Sequence, residues 1–117
     1  MISNEFWHAL DQLAASGRLT LDRPKGSRHP RWPDVVYPLD YGCLADTRGS
    51  DGSALDVWLG GLPDRRVTAI VCTVDLHKRD AEFKLLGCTP EEMTLILAFH
   101  NNGSQSGILI KRGSHGQ

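Results

Sequence analysis

In "YPLDYGCLADTRGSDGSALDVWLG", residues 37–60, Asp46, Asp51 and Asp56 recur at intervals of five, among glycines and between two aromatic-bearing, strand-like runs. Carboxylates at that density repel one another unless water or a cation lies between them, so the stretch is either a solvated loop or a cation site. Gly52 and Ser53 permit a tight turn, and Leu55 to Leu59 commits to a strand, which places Asp51 in a turn and Asp56 at a strand's beginning. Two carboxylates on either side of a turn offer a hard cation the converging oxygens it needs. An Asx-type turn with a solubilising strand end is the alternative.

Two further groups carry charge in a chemically useful pattern. Asp75 and Asp80, in "VDLHKRDAEFK", share the same separation and follow the most β-branched run of the chain, where a barrel mouth would bring them near the first pair. A charged hairpin turn accounts for the same residues. Glu82 and Lys84 continue that polar stretch. Upstream, Arg23, Lys25, Arg28, His29 and Arg31 form a basic loop. Arginine presents a planar fork to phosphate oxygens and lysine a compact point charge, although a solvated basic face is equally simple. Cation-seeking and anion-seeking clusters in one small chain are the combination needed to hold a metal-bound phosphate.

The elements that must position these groups read as follows. "SNEFWHALDQLAAS", residues 3–16, is expected to be a helix: Ser3 can cap it, and Phe6, Leu10 and Leu13, widened by Trp7 and Ala14, make its apolar stripe. Gly17 ends it. "RLTLD" alternates as a strand does, and "RPKGSRHPRWPD" is a loop broken by prolines. "VVYP" and "ALDVWLG" are expected strands flanking the acidic connection, "RRVTAIVCTVDL" is a buried strand, and "EFKLLGC" is one more. In "TPEEMTLILAFHNN", Thr89 caps, Pro90 suits the first turn and Glu91 and Glu92 complement the helix dipole, while Met93, Ile96, Leu97 and His100 form an apolar stripe. "GILIKR" is a last strand before a tail expected to fray. Helices do not alternate with strands, so a small antiparallel barrel is favoured over a doubly wound sheet.

Composition sets the outer limits. The chain has 117 residues, 40% of them hydrophobic and 23% charged, which suits one globular domain spanning residues 1–117. A formal net charge of -1 gives no general electrostatic reason to bind nucleic acid or an anionic membrane. Cys43, Cys72 and Cys88 are odd in number, lack C-x-x-C pairing and sit among apolar or small residues, as buried thiols of a reducing compartment do. Glu5 and Asp11 interrupt the opening residues, so no basic-then-apolar leader is present, and no run approaches membrane-spanning length. A cytoplasmic protein is expected.

"YPLDYG" followed by "DGSALDV" resembles the signature region of the soluble, magnesium-dependent (family I) inorganic pyrophosphatases, whose pattern is Y-P-x-x-Y-G and then, about ten residues on, D-G-D-P-x-D-V. "VDLHKRD" and "KLL" resemble the segments that follow in that family, and the likeness runs from about Leu19 to Ile110. It implies an OB-like, five-stranded antiparallel barrel with a helix near each end of the chain, on the border of all-β and α+β classes. It also implies Mg²⁺ or Mn²⁺ as cofactor and pyrophosphate or another small phosphoanhydride as substrate. By position, the resemblance gives metal-holding roles to Asp51, Asp56, Asp80 and, more peripherally, Asp75. Phosphate contact falls to Arg31, Tyr41 and Lys84, with Lys25 of the basic loop beside them. Asp51, Asp56, Asp80 and Lys84 form the catalytic set, and a homo-oligomer is compatible with the family.

The departures bear on activity. The family's middle Asp, the group that takes a proton from the attacking water, is Ser53 here, and the proline after it is Ala54. A serine hydroxyl is no base near neutral pH, so metal charge alone or a substitute such as Asp46 would have to ionise that water. Thr20 stands where the family has a glutamate, and His100-Asn101 where it has Tyr-Lys. The first expectation is therefore a divalent-metal-dependent phosphoanhydride hydrolase. The second is a catalytically impaired module that binds metal and a phosphorylated ligand. A third, an oligonucleotide-binding barrel with Trp32 as stacking platform, is opposed by carboxylates at the barrel mouth, which repel a phosphate backbone.

Overall fold

A computed structural model describes residues 2–64 and 66–113. Helix α1 (Asn4–Ser16) is followed by strands β1 (Leu19–Arg23), β2 (Asp40–Leu44), β3 (Leu55–Leu59), β4 (Ala69–Asp75) and β5 (Asp80–Gly87), then helix α2 (Pro90–Phe99) and strand β6 (Gln105–Lys111). The tail expected to fray falls mostly on residues 114–117, outside the described residues.

The strands form one sheet in the order β1-β2-β3-β5-β4-β6. Its ends, β1 and β6, do not pair with each other, so the sheet is open, and its six strands replace the closed five-stranded barrel expected from the sequence. Nor is it wholly antiparallel: β3 and β5 run parallel, with Val57 opposite Leu85 and Trp58 opposite Leu86. The architecture is α+β. "VVYP" does not form a strand. It lies in a loop whose backbone bonds are local, with the Gly26 amide donating to the Tyr37 carbonyl and the His29 amide to that of Val35. The corresponding strand is β2, a few residues later.

Two apolar clusters hold the layers together. On one face, Trp7, Leu10 and Ala14 of α1 meet Leu44, Val57, Ile70 and Leu85; on the other, Met93 and Ile96 of α2 meet Trp58, Val71 and Leu86. Consecutive strand residues thus serve opposite clusters, as Val57 and Trp58 do, which is why these strands read as continuous apolar runs. The buried stripe of α1 is Trp7, Leu10 and Ala14, rotated from the expected one, and Phe6 and Leu13 are exposed at its margin. Helix α2 follows its sequence signals closely. The Thr89 hydroxyl accepts from the Glu92 amide while the Glu92 carboxylate accepts from the Thr89 amide, a reciprocal capping box.

The Glu92 carboxylate also accepts from the amide of Gly61, latching the N-terminus of α2 to the end of β3. A side chain at Gly60 would collide with that carboxylate. Gly42 answers a similar need, since a Cβ there would meet the Thr20 carbonyl of β1, which explains the glycine of "YPLDYG". None of the described helices is long and apolar enough to cross a membrane. Cys88 is buried, its thiol pushed up to about 12 chiefly by that burial, while Cys43 and Cys72 are half-buried and all three are free.

His100, at the end of α2, is 3% exposed. Its Nε2 accepts from the Trp58 indole (3.0 Å), and its Nδ1 lies 2.6 Å from Gln105 Oε1, so the ring is neutral with its proton on Nδ1. Burial is the main force that lowers its pKa, to about 4. Because the folded value lies below the unfolded one, near 6.5, stability from this residue is complete above the unfolded value and is lost as pH falls toward 4. That loss amounts to roughly 3 kcal/mol. Urea melts between pH 7 and pH 4 should show this decline, and His100→Gln should flatten it; an equal slope in the variant contradicts the assignment.

Candidate functional site

The site lies on the α2 face of the sheet, beyond the part that α2 covers. Strand alternation puts Asp56 on the same face as Trp58, and Glu82 and Lys84 on the same face as Leu86. The parallel pairing of β3 with β5 then brings Asp56 beside Lys84, and the β2–β3 register sets Tyr41 opposite Trp58. The Lys84 ammonium donates to Asp56 Oδ2 (2.7 Å), Tyr41 Oη (2.9 Å) and Glu82 Oε1 (3.0 Å). Its side chain is 9% exposed. Two residues from two other strands, Tyr41 of β2 and Asp56 of β3, converge on one nitrogen, together with Glu82 of Lys84's own strand.

The electrostatics follow from burial and contact. Burial favours the neutral amine, but Tyr41 and Asp56 outweigh it and hold Lys84 protonated, above the ordinary lysine range. Burial raises the Tyr41 phenol well above its usual value, with Asp56 adding to the rise, so Tyr41 stays neutral. Its oxygen accepts from Lys84, leaving the phenolic proton for Asp56 or a ligand oxygen. Trp58, wholly buried, positions Tyr41 by ring contact at 4.5 Å. Tyr37 packs on both rings.

Asp51 and Asp56 line one shallow recess, with Ala54, Glu82 and Phe83. Asp51 is exposed in the turn before β3, where its Oδ1 accepts from the Ser53 amide (3.0 Å). The Ser53 position is thus part of the turn that carries Asp51. Asp80 shares the face of Glu82 and Lys84 but lies one strand alternation farther out, roughly 7 Å along β5 from Glu82, and does not line the recess. Asp75 stands opposite Asp80, its Oδ1 accepting from the amides of His77 (3.0 Å) and Lys78 (3.1 Å) and from the Ser104 hydroxyl (2.8 Å). Those bonds, the Lys78 amide foremost, hold its carboxyl below the usual range. It organises the β4–β5 hairpin. Asp46 is an exposed turn residue with φ 65 and is not part of the recess.

The basic loop sits apart from the Lys84 cluster. The Arg31 guanidinium lies over the Trp32 ring at 5.0 Å, and His29 Nδ1 accepts from the amides of Arg31 and Trp32. The loop reaches the site through rings: His29 stacks on Tyr37, which packs on Tyr41. Lys25 donates its amide to Asp40 (2.7 Å), and its charge helps lower the Glu92 carboxyl against the opposing effect of burial. Of the residues singled out in the sequence, Tyr41, Asp56 and Lys84 are in mutual contact, Asp51 lines the recess with Asp56 alone of these three, and Arg31, Lys25, Asp75 and Asp80 do not line it. Glu82, outside the set of site residues expected from the sequence, also belongs to the site, and its alternation with Lys84 on one strand face is the sequence signal for it.

Among the described residues, no three His, Cys, Asp or Glu side chains form a group that could hold a metal ion. The oxygens that do converge, from Asp56, Glu82 and Tyr41, meet at the lysine ammonium. Mg²⁺ ordinarily takes one or two protein carboxylates and fills the rest of its shell with water and substrate phosphate. Asp51 and Asp56, which line one recess, are carboxylates that could serve in that way, and no all-protein cage is formed among the described residues.

This fold is the one found in inorganic pyrophosphatases. The enzyme from Neisseria gonorrhoeae matches with a TM-score of 0.63 at 18% identity, over 80% of each chain. That from Thermus thermophilus gives 0.58 at 19% over 82% of each, and that from Helicobacter pylori 0.56 at 16% over 82% of this chain and 84% of its own. No protein-family model and no curated protein matches the chain. Identities this low establish the shared fold.

Proposed function

We propose that this chain hydrolyses a small phosphoanhydride, inorganic pyrophosphate first among them, with Mg²⁺ or Mn²⁺ as cofactor. One observation carries the reading: on a pyrophosphatase fold, Tyr41, Asp56 and Lys84, distant in sequence, are drawn into direct contact, and Asp56 lines one recess with Asp51. A buried ion pair adds little net stability compared with apolar packing, so a scaffold alone gains little by keeping one there. Lys84 supplies a positive charge and Tyr41 a neutral hydroxyl to phosphate oxygens, where negative charge develops on the leaving group. Asp51 and Asp56 are the residues that would hold the divalent cation, with Asp80 on the outer part of the same strand face. When bound, the cation supplies positive charge to phosphate oxygens and makes a neighbouring water more acidic. Arg31 and Lys25 add attraction for the anion as it approaches. The setting is an intracellular one, and no nucleic acid or membrane is required.

Ser53 favours a second reading, binding of metal and phosphorylated ligand with little turnover. Its hydroxyl cannot accept the water's proton near neutral pH, and Asp46 does not reach the recess.

Two variants separate these readings. With Mg²⁺, the wild-type chain should release phosphate from pyrophosphate, a chelator should stop it, and Asp56→Asn should lower the rate by about a hundredfold or more. An unchanged rate in that variant, or release that ignores the chelator, refutes the mechanism. Ser53→Asp should raise the wild-type rate by about a hundredfold, by restoring a proton acceptor. If isothermal titration shows pyrophosphate binding while neither the wild type nor Ser53→Asp releases phosphate, the binding module is the correct description.

A further inference from the structure

The cation at the centre of this site is the protein's own. Lys84 Nζ has three N–H bonds, and Asp56, Tyr41 and Glu82 accept all three at 2.7 to 3.0 Å. Mg²⁺ binds carboxylate oxygen at about 2.0 to 2.1 Å. An ammonium 2.7 Å from Asp56 Oδ2 and a divalent ion on the same carboxylate would be close neighbours of like charge, with the Lys84 side chain 9% and the Asp56 side chain 30% exposed. Each weakens the hold of the other.

We propose that Lys84 is a resident counter-cation that competes with the divalent metal for Asp56, so that the ammonium surrenders this carboxylate when the metal binds and is then free to pair with phosphate. The proposal rests on the reading of Asp51 and Asp56 as the metal-holding residues. Its logic is one of charge: Asp56 and Glu82 carry two negative charges, Lys84 cancels one, and a metal ion meets a recess already partly neutralised. Metal alone therefore binds weakly. Phosphate strengthens it by giving the displaced ammonium a new anionic partner, so metal and phosphate bind cooperatively through one side chain. Glu82 keeps the released ammonium anchored near the recess, and Tyr41 limits where it can swing.

The test uses Mn²⁺ alone, followed by electron paramagnetic resonance, so it does not depend on turnover. Lys84→Met should bind Mn²⁺ at least about tenfold more tightly than the wild type, because two carboxylates lose their internal cation. Lys84→Arg, which keeps the charge, should stay near the wild-type affinity. Equal or weaker Mn²⁺ binding by Lys84→Met, including no binding by either protein, overturns the proposal. Should Lys84→Met fail to fold, nitrogen-15 resonances of the lysine ammonium groups in the wild type decide the matter. The Lys84 signal should move on adding Mg²⁺ but not on adding Na⁺ at equal ionic strength, and a signal indifferent to Mg²⁺ overturns the proposal. Metal exchange at Lys84 without phosphate release from pyrophosphate would count against the hydrolase reading alone.

Discussion

A lysine ammonium that is almost wholly removed from water must be neutralised where it stands, and the sheet is arranged so that this happens. Lys84 finds Asp56 only because β3 and β5 pair in parallel and in one register. A slip of one residue would turn Lys84 toward the α1 cluster and strand the charge among Leu44, Val57 and Ile70. An uncompensated buried charge costs several kcal/mol, far more than the intact pair returns. The charge cluster therefore acts more as a register specification than as a source of stability. The same contacts assemble the recess.

A set of neutral contacts holds the charged ones in place. Trp58 has its indole tied to His100, its ring against Tyr41, and the end of its strand latched through the Gly61 amide to Glu92 in the first turn of α2. The hydroxyl that faces Lys84 is thus fixed by packing and by helix capping at once. Such support from rigid elements is what a preformed anion site requires, since freedom left in the apo state must be lost on binding. The aromatic row continues outward through Tyr37 to His29 and Trp32, linking the buried site to the exposed basic loop.

Local chemistry was legible in the sequence where it governed the structure. Thr89, Pro90 and Glu92 announced α2 because a capping box is contained within four residues. Asp51 in a turn and Asp56 in a strand followed from Gly52 and the apolar run after it. "VVYP" has the β-branched residues of a strand, but the loop's own carbonyls and amides, those of Ser27, His29 and Trp32 among them, take the bonds a strand partner would have used. The parallel pairing of β3 with β5, and with it the open sheet, could not be read locally: the pairing joins residues far apart along the chain. The partnership of Trp58 with His100 was hidden for the same reason. Periodicity marks His100 as part of an apolar stripe but cannot say that it holds the Trp58 indole. Tyr41 and Lys84 stand out through a motif resemblance; that the Lys84 ammonium donates to both Asp56 and Tyr41 is a tertiary fact.

The central claim is that the Lys84–Asp56–Tyr41 contact is a phosphate site. A crystal structure with Mg²⁺ and methylenediphosphonate, which keeps the shape of pyrophosphate but resists hydrolysis, tests it most directly. The account predicts phosphonate oxygens within hydrogen-bonding distance of Lys84 Nζ and Tyr41 Oη, with the cation between the analogue and Asp51 and Asp56. An analogue seated only on the basic loop or elsewhere, with the Lys84–Asp56 pair unchanged, would contradict it.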